Sequence, residues 1–234
     1  MKIIAFTFAG GSKYSFKQFS NILPNFIVME YSGRGTRVND ELLFEVNLII
    51  EDLLPKVIQE IDSCDQYVIY GHSMGALIGY LICHKLQELK IKKPSKLIIS
   101  GRKPPNVEQR KKISHFEDQL FWEEVIKIGG VPTEFGKHPE LMNFYIPILK
   151  ADFKAIEDYK YNIAERLDIP LDIFYGKDEG IQENEINNWC QQSTGKVVIK
   201  SLEGNHFFIF NQANYFINYF KELSENLYSL TKQC

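Results

Sequence analysis

The segment Gly71-His72-Ser73-Met74-Gly75 stands between a compact β-branched and aromatic run, Gln66 to Tyr70, and a stretch with helical spacing of apolar residues, Met74 to Leu89. A strand that passes through GxSxG directly into a helix must turn sharply, and the two glycines permit that turn. The serine is then thrown out at the tip in a strained conformation, beside the unpaired N–H groups and positive dipole end of the helix. The bland alternative is a chance strand, turn and helix, and the two correct flanks argue against it.

The rest of the chain repeats this alternation. Strands are expected over Lys2 to Phe8, Phe26 to Glu30, Gln66 to Tyr70, Lys96 to Ser100, Leu171 to Tyr175 and Lys196 to Leu202. Between them Leu43 to Ile61, Met74 to Leu89, Glu183 to Gln191 and Gln212 to Leu230 carry apolar residues three and four apart, as amphipathic helices do. Pro55 is expected to kink or break the first of these helices. Such alternation implies crossover units and an α/β fold with a mostly parallel central sheet flanked by helices. The stretch from Lys103 to about Glu165 departs from the pattern. It is polar, holds prolines at 104, 105, 132, 139 and 147, and reads as several short helices forming a lid insertion over the carboxyl ends of the strands.

With 234 residues, 44% of them hydrophobic, residues 1–234 are expected to form one domain, with 103–165 as an insertion within it. A formal charge of -3 gives no reason to expect a nucleic-acid partner. Cys64, Cys83, Cys190 and Cys234 form no CxxC pair and no metal-ligand spacing with histidine, as expected of reduced thiols in a cytoplasmic protein. No apolar run reaches the roughly 20 residues of a membrane span, and the N-terminal MKIIAFTFAGG reads as an opening strand rather than a signal peptide.

A serine hydroxyl needs a base before it is a useful nucleophile. Of the five histidines, His72 adjoins Ser73 and should point elsewhere, and His84 is eleven residues along the helix, about 16 Å away by helical rise. His115 and His138 fall in the insertion. His206 remains, in the turn GNHFF between the last strand and the C-terminal helix, where the order serine, acid, histidine expects it. The acid that orients such a histidine should follow the preceding strand, where Gly176-Lys177-Asp178-Glu179-Gly180 offers two carboxylates. Spacing alone does not separate them. An oxyanion hole needs converging backbone donors, one from the residue after the serine, Met74, and one from the loop after the first strand, Phe8-Ala9-Gly10-Gly11.

With these residues in place the sequence resembles the external, or type II, thioesterases that accompany nonribosomal peptide and polyketide synthetases, members of the α/β-hydrolase superfamily. FAGG near the N-terminus, GRG at 33 to 35 with Arg37, GHSMGA at 71 to 76, SGRKPP at 100 to 105, LKADFKAIEDY at 149 to 159 and EGNHFFI at 203 to 209 occur in the family's order over almost the full length. The resemblance implies an α/β-hydrolase fold and a serine thioesterase that removes acyl or aminoacyl groups from the phosphopantetheine arm of carrier-protein domains. It carries the nucleophile and base onto Ser73 and His206, and the oxyanion donors onto Ala9 and Met74. With the preceding strand and Trp189 kept in register, it sets the catalytic acid on Glu179, where the family has aspartate, and Asp178 is the alternative. Ser32 stands where the family usually has proline, so the turn before GRG is expected to differ. No metal and no dissociable cofactor are implied, since the 4'-phosphopantetheine belongs to the partner, and the enzyme is expected to act as a monomer.

Two further features bear on that partner. Gly101 to Lys112 holds Arg102, Lys103, Arg110, Lys111 and Lys112 against Glu108, a basic surplus suited to an acidic carrier domain, or else ordinary solvated surface. Phe116, Phe121, Trp122, Phe144 and Tyr145 are available to line an acyl chamber, although packing of lid helices onto the core explains them more simply. Competing readings are a small-molecule carboxylesterase with the same triad, an acyltransferase, for which the chain is short, and a catalytically weak acyl-carrier-binding protein.

Overall fold

The computed structural model describes residues 1–107, 111–129 and 139–231. Six strands, β1 (Lys2–Phe6), β2 (Phe26–Val28), β3 (Tyr67–His72), β4 (Leu97–Ser100), β5 (Leu171–Gly176) and β6 (Val197–Leu202), form one sheet in the order β2-β1-β3-β4-β5-β6. All five pairings are parallel, with Ile4 opposite Ile69, Ile69 opposite Leu97 and Leu97 opposite Leu171 in register. Among the described residues the α-helices are α1 (Lys17–Ser20), α2 (Val46–Asp62), α3 (Met74–Glu88), α4 (Asp118–Ile128), α5 (Pro139–Asp158), α6 (Glu183–Ile186), α7 (Phe208–Asn211) and α8 (Ala213–Thr231). This is the α/β-hydrolase arrangement expected from the sequence.

A parallel sheet buries both faces, so its strands read as continuous apolar runs, and successive residues serve opposite cores. Ile4, Phe6, Ile69, Leu97, Ile99 and Ile173 pack with α2 and α3 on one face. Ile3, Ala5, Val68, Tyr70, Ile98 and Phe174 pack on the other against Phe16, Phe19, Phe208, Phe216 and Phe220. A third cluster, Ile113, Phe121, Trp122, Val125, Ile146 and Leu149, joins α4 to α5.

Several sequence expectations are corrected here. α2 continues through Pro55 without a break. The proline deprives the Glu51 carbonyl of its helical donor, but both residues are exposed, so solvent is available to that carbonyl. The insertion is not a set of short helices throughout, because α5 extends for 20 residues with Pro147 inside it. Pro147 and Asn143, whose carbonyl loses the donor, are likewise exposed. The helix expected over Glu183 to Gln191 is the four-residue α6 followed by a 3₁₀ segment, Asn187–Gln191. β3 continues two residues beyond its expected end, through Gly71 and His72, which ladder with Ile99 and Ser100.

Two histidines, His72 fully buried and His84 half-buried, give the fold an acid-sensitive component. Burial holds the His84 pKa down to about 4, and burial followed by the charge of His206 holds His72 well below the usual 6.5. Both are neutral in the fold but protonate readily in the unfolded chain, so their stability contribution is complete above about pH 6.5 and is lost as pH falls toward the folded values. The urea midpoint should therefore decline between pH 6.5 and 4, and His84→Gln should flatten that decline.

Candidate active site

β3 delivers Ser73 to the tip of its turn with φ 56° and ψ -113°. The strained residue is held from below by its own N–H, which donates to the Ser100 carbonyl on β4 at 2.9 Å. The turn is tight enough to exclude side chains on either side. A Cβ at Gly71 would lie 2.1 Å from the Gly75 carbonyl oxygen, and one at Gly75 would lie 2.1 Å from the Phe6 carbonyl oxygen. Neither backbone atom can swing aside as a flexible side chain could, so Gly75→Ala should destabilise the fold by about 3 kcal/mol in urea unfolding.

His206, in the turn after β6, presents Nε2 to Ser73 Oγ at 3.0 Å and Nδ1 to Glu179 Oε1 in a short contact. Glu179 is anchored through its second oxygen, which accepts the Gly176 N–H at 3.1 Å, and its side chain is 5% exposed. The structure thus brings Ser73, His206 and Glu179 together across 133 residues of chain. Asp178 sits beside them but is exposed, its N–H donating to the Gly204 carbonyl at 3.0 Å, and among the described residues no hydrogen bond joins its carboxylate to His206.

The other histidines fall elsewhere. His72 is fully buried beneath the site, its Nδ1 2.9 Å from Ser100 Oγ and its ring centroid 5.1 Å from that of His206. Its neutrality matters, because a cation there would oppose the imidazolium that forms on His206 during a proton transfer. His84 lies in a separate cavity of about 610 Å³ beside Leu81 and Tyr159, His115 is exposed, and His138 lies outside the described residues.

Neither the Ala9 nor the Met74 amide has a hydrogen-bond partner among the described residues, so both are free to donate. The loop carrying Ala9 turns with the Gly11 N–H donating to the Phe8 carbonyl at 2.9 Å. Ala9, Ser73, Glu179 and His206 share a cavity of about 450 Å³ with Gly101, Arg102, Phe153, Ile156 and Ile181. An apolar cleft of about 40 Å³ continues it between Phe8, Val125, Ile128, Leu149 and Phe207. α4 and α5 therefore supply one wall. Of the five aromatic residues considered for that role, Phe121 and Trp122 are buried between α4 and α5, Phe116 and Tyr145 pack against that cluster, and Phe144 is exposed. They hold the helices together, and on the α4 and α5 side the space is lined by Val125, Ile128, Leu149, Ile156 and Phe153.

Among the described residues the basic run divides between inside and surface. Arg102 is 7% exposed, Lys103 pairs with Glu185 at 2.8 Å, and Lys111 and Lys112 pair with Glu124 and Asp158. Arg110 lies outside the described residues.

Sequence reasoning missed one cluster. Asp152 of α5 accepts the Gly10 N–H at 2.7 Å and forms a two-pronged ion pair with Arg34, Nη2 to Oδ1 at 2.7 Å and Nη1 to Oδ2. Both side chains are buried, with Arg34 4% and Asp152 0% exposed. Burial alone would lower the Arg34 pKa, but the charge and hydrogen bonds of Asp152 more than offset it, and the pKa is raised. Three motifs that looked independent, FAGG, GRG and ADF, meet at this point. Arg37 of the second motif ties its loop to α2 through Asp52 at 2.6 and 2.9 Å, and Ser32 secures the turn by donating to the Glu41 carbonyl.

Such a site can generate a serine alkoxide equivalent, stabilise an oxyanion and form a covalent acyl intermediate. Residues 1–223 match the thioesterase-domain family. The chain belongs to the thioesterase family. Among relatives of this thioesterase, the Vibrio anguillarum protein named "Probable anguibactin biosynthesis thioesterase AngT" is 32% identical, with 93% of this chain and 89% of that protein covered. The gramicidin S biosynthesis protein GrsT of Aneurinibacillus migulanus is 27% identical, over 90% of this chain and 83% of its own. Among solved structures, ClbQ from the colibactin pathway superposes with a TM-score of 0.89 at 25% identity, covering 98% of each chain. YbtT, a type II thioesterase from the yersiniabactin pathway, gives 0.84 at 26% identity, covering 96% of this chain and 91% of its own. The thioesterase is thus a hydrolase acting on thioester bonds.

Proposed function

We propose that this thioesterase removes acyl or aminoacyl groups from the phosphopantetheine arm of carrier-protein domains in nonribosomal peptide or polyketide synthesis, clearing stalled or mis-primed synthetases. Ser73 attacks the thioester carbonyl while His206 takes its proton, and the amides of Ala9 and Met74 hold the oxyanion. Collapse of the tetrahedral species expels the pantetheine thiolate, which receives the proton from His206. Water then attacks the acyl-serine with His206 again as base, releasing the acid and restoring Ser73. Glu179 holds the imidazole in the required tautomer and balances its charge. In this reading residues 1–234 are one catalytic domain, 103–165 act as its lid, no metal or dissociable cofactor takes part, and the enzyme works as a cytoplasmic monomer.

The observation that carries the mechanism is His206 spanning Ser73 Oγ and Glu179 Oε1. The names of the relatives, linked to anguibactin and gramicidin S biosynthesis, support the substrate class. The test is hydrolysis of acetyl- and longer acyl-carrier protein, with a nitrophenyl ester in parallel. Carrier turnover well above ester turnover is expected. Ester hydrolysis without carrier hydrolysis would replace this reading with a general esterase.

A further inference from the structure

Gly10 follows the proposed oxyanion donor Ala9 and is held from the lid side by two residues of α5. Its amide donates to Asp152 Oδ2 at 2.7 Å, and its α-carbon is packed under Leu149, where an added Cβ would come within 2.6 Å of Leu149 Cδ2. Its φ of +77° is the left-handed conformation that favours glycine, so the loop turns immediately after Ala9. No other hydrogen bond from outside the loop reaches Ala9 or Gly10 among the described residues.

A buried carboxylate bonded only to one amide would be costly, and Arg34 resolves this by pairing with both oxygens of Asp152. The guanidinium is itself oriented, since its Nε donates to the Ser32 carbonyl and its Cζ sits 5.2 Å over the centroid of the Tyr31 ring, whose hydroxyl donates to the Thr7 carbonyl at 3.0 Å. Thr7 and Gly10 bracket Ala9 in sequence. The same network therefore grips the loop on both sides of the donor, from Tyr31 before it and from Asp152 after it.

We infer that Asp152 and Arg34 are positioning residues for the oxyanion hole, so that seating of α5 on the core aims the Ala9 amide at the reacting carbonyl. This inference rests on the proposed serine mechanism and adds to it a role for residues that touch neither substrate nor the reacting atoms. An amide aimed at a tetrahedral oxyanion stabilises the transition state more than the bound substrate, so loss of its positioning appears in kcat rather than KM.

Asp152→Asn is the sharpest probe, because its NH₂ must face a donor, either Gly10 N–H or Arg34. Arg34→Lys retains the charge without the two-pronged geometry, and Arg34→Met combined with Asp152→Leu fills the space with apolar groups so that folding does not depend on an uncompensated charge. Each variant would be measured on acyl-carrier protein with active sites counted by fluorophosphonate labelling. Binding of a boronic acid, whose adduct on Ser73 carries an oxyanion, would be compared with binding of a non-hydrolysable thioether analogue. The expected result is a fall in kcat of about 10- to 100-fold, with boronate affinity falling in parallel and KM and thioether affinity within threefold of wild type. Unchanged kcat per labelled site and unchanged boronate affinity in any folded variant, even with a lower melting temperature, would overturn the inference and leave the pair as structural. Ser73→Ala is the control for the underlying reading, since carrier turnover surviving that change would sink the serine mechanism itself.

Discussion

Ser73→Ala is expected to reduce hydrolysis of acyl-carrier protein by at least about 10⁴-fold in kcat, and His206→Ala by a comparable factor. The double variant should be little worse than either single one. The reason is geometric: His206 Nε2 stands 3.0 Å from Ser73 Oγ, so the proton has one route, and removing either end of it removes the whole step. What remains is the free amides of Ala9 and Met74 and the binding cavity, which still favour attack by water. The measurement is single-turnover release of radiolabelled acyl groups, paired with mass detection of an acyl-serine on wild type. Additive losses would show that serine and histidine act independently and would sink the relay. Substrate affinity should survive Ser73→Ala, because the residues lining the cavity are otherwise unaltered.

The parts of this site that were legible in the sequence are those whose geometry is local. Ser73 is fixed by a strand, a turn and a helix that adjoin in the chain, and Gly71 and Gly75 announce the close approach that makes the turn possible. His206 could be selected because the alternatives were set aside by adjacency to Ser73, by helical rise or by their place in the insertion. The Asp152 and Arg34 pair was hidden because its partners lie 118 residues apart, and nothing in GRG or ADF taken alone signals the other. The fold shows the same division. Strand runs buried on both faces stand out as continuous apolar segments, while α5 is masked by Pro139 and Pro147 and by a polar outer face. A count of positive charges between Arg102 and Lys112 suggested a surface, but it carried no information on burial. Arg102 is 7% exposed and lines the catalytic cavity and Lys103 pairs with Glu185, whereas Lys111 and Lys112 are exposed, so charge density along a loop did not tell which of its cations face solvent.

Glu179→Gln should separate the two adjacent acids, with a fall in kcat of about 10³- to 10⁴-fold against less than about threefold for Asp178→Asn. Glu179 meets His206 Nδ1 with one oxygen while the other is held by the Gly176 amide, so the carboxylate cannot rotate away. A glutamine in the same place can keep only one of these contacts with its oxygen. If the oxygen stays on Nδ1, the NH₂ opposes the Gly176 N–H; if the amide turns over, the NH₂ donates to Nδ1 and holds the proton on Nε2, the tautomer that cannot accept from Ser73. Either arrangement also removes the charge that stabilises the imidazolium. Asp178 is exposed, and its loss should be felt only through screened charge at the cavity mouth. The decisive companion is Glu179→Asp, which shortens the reach by one methylene but restores the charge, and which should recover at least tenfold over Glu179→Gln. If Asp178→Asn proves the more damaging change, the loop must rearrange on substrate binding, and Asp178 would take the position that Glu179 holds against His206.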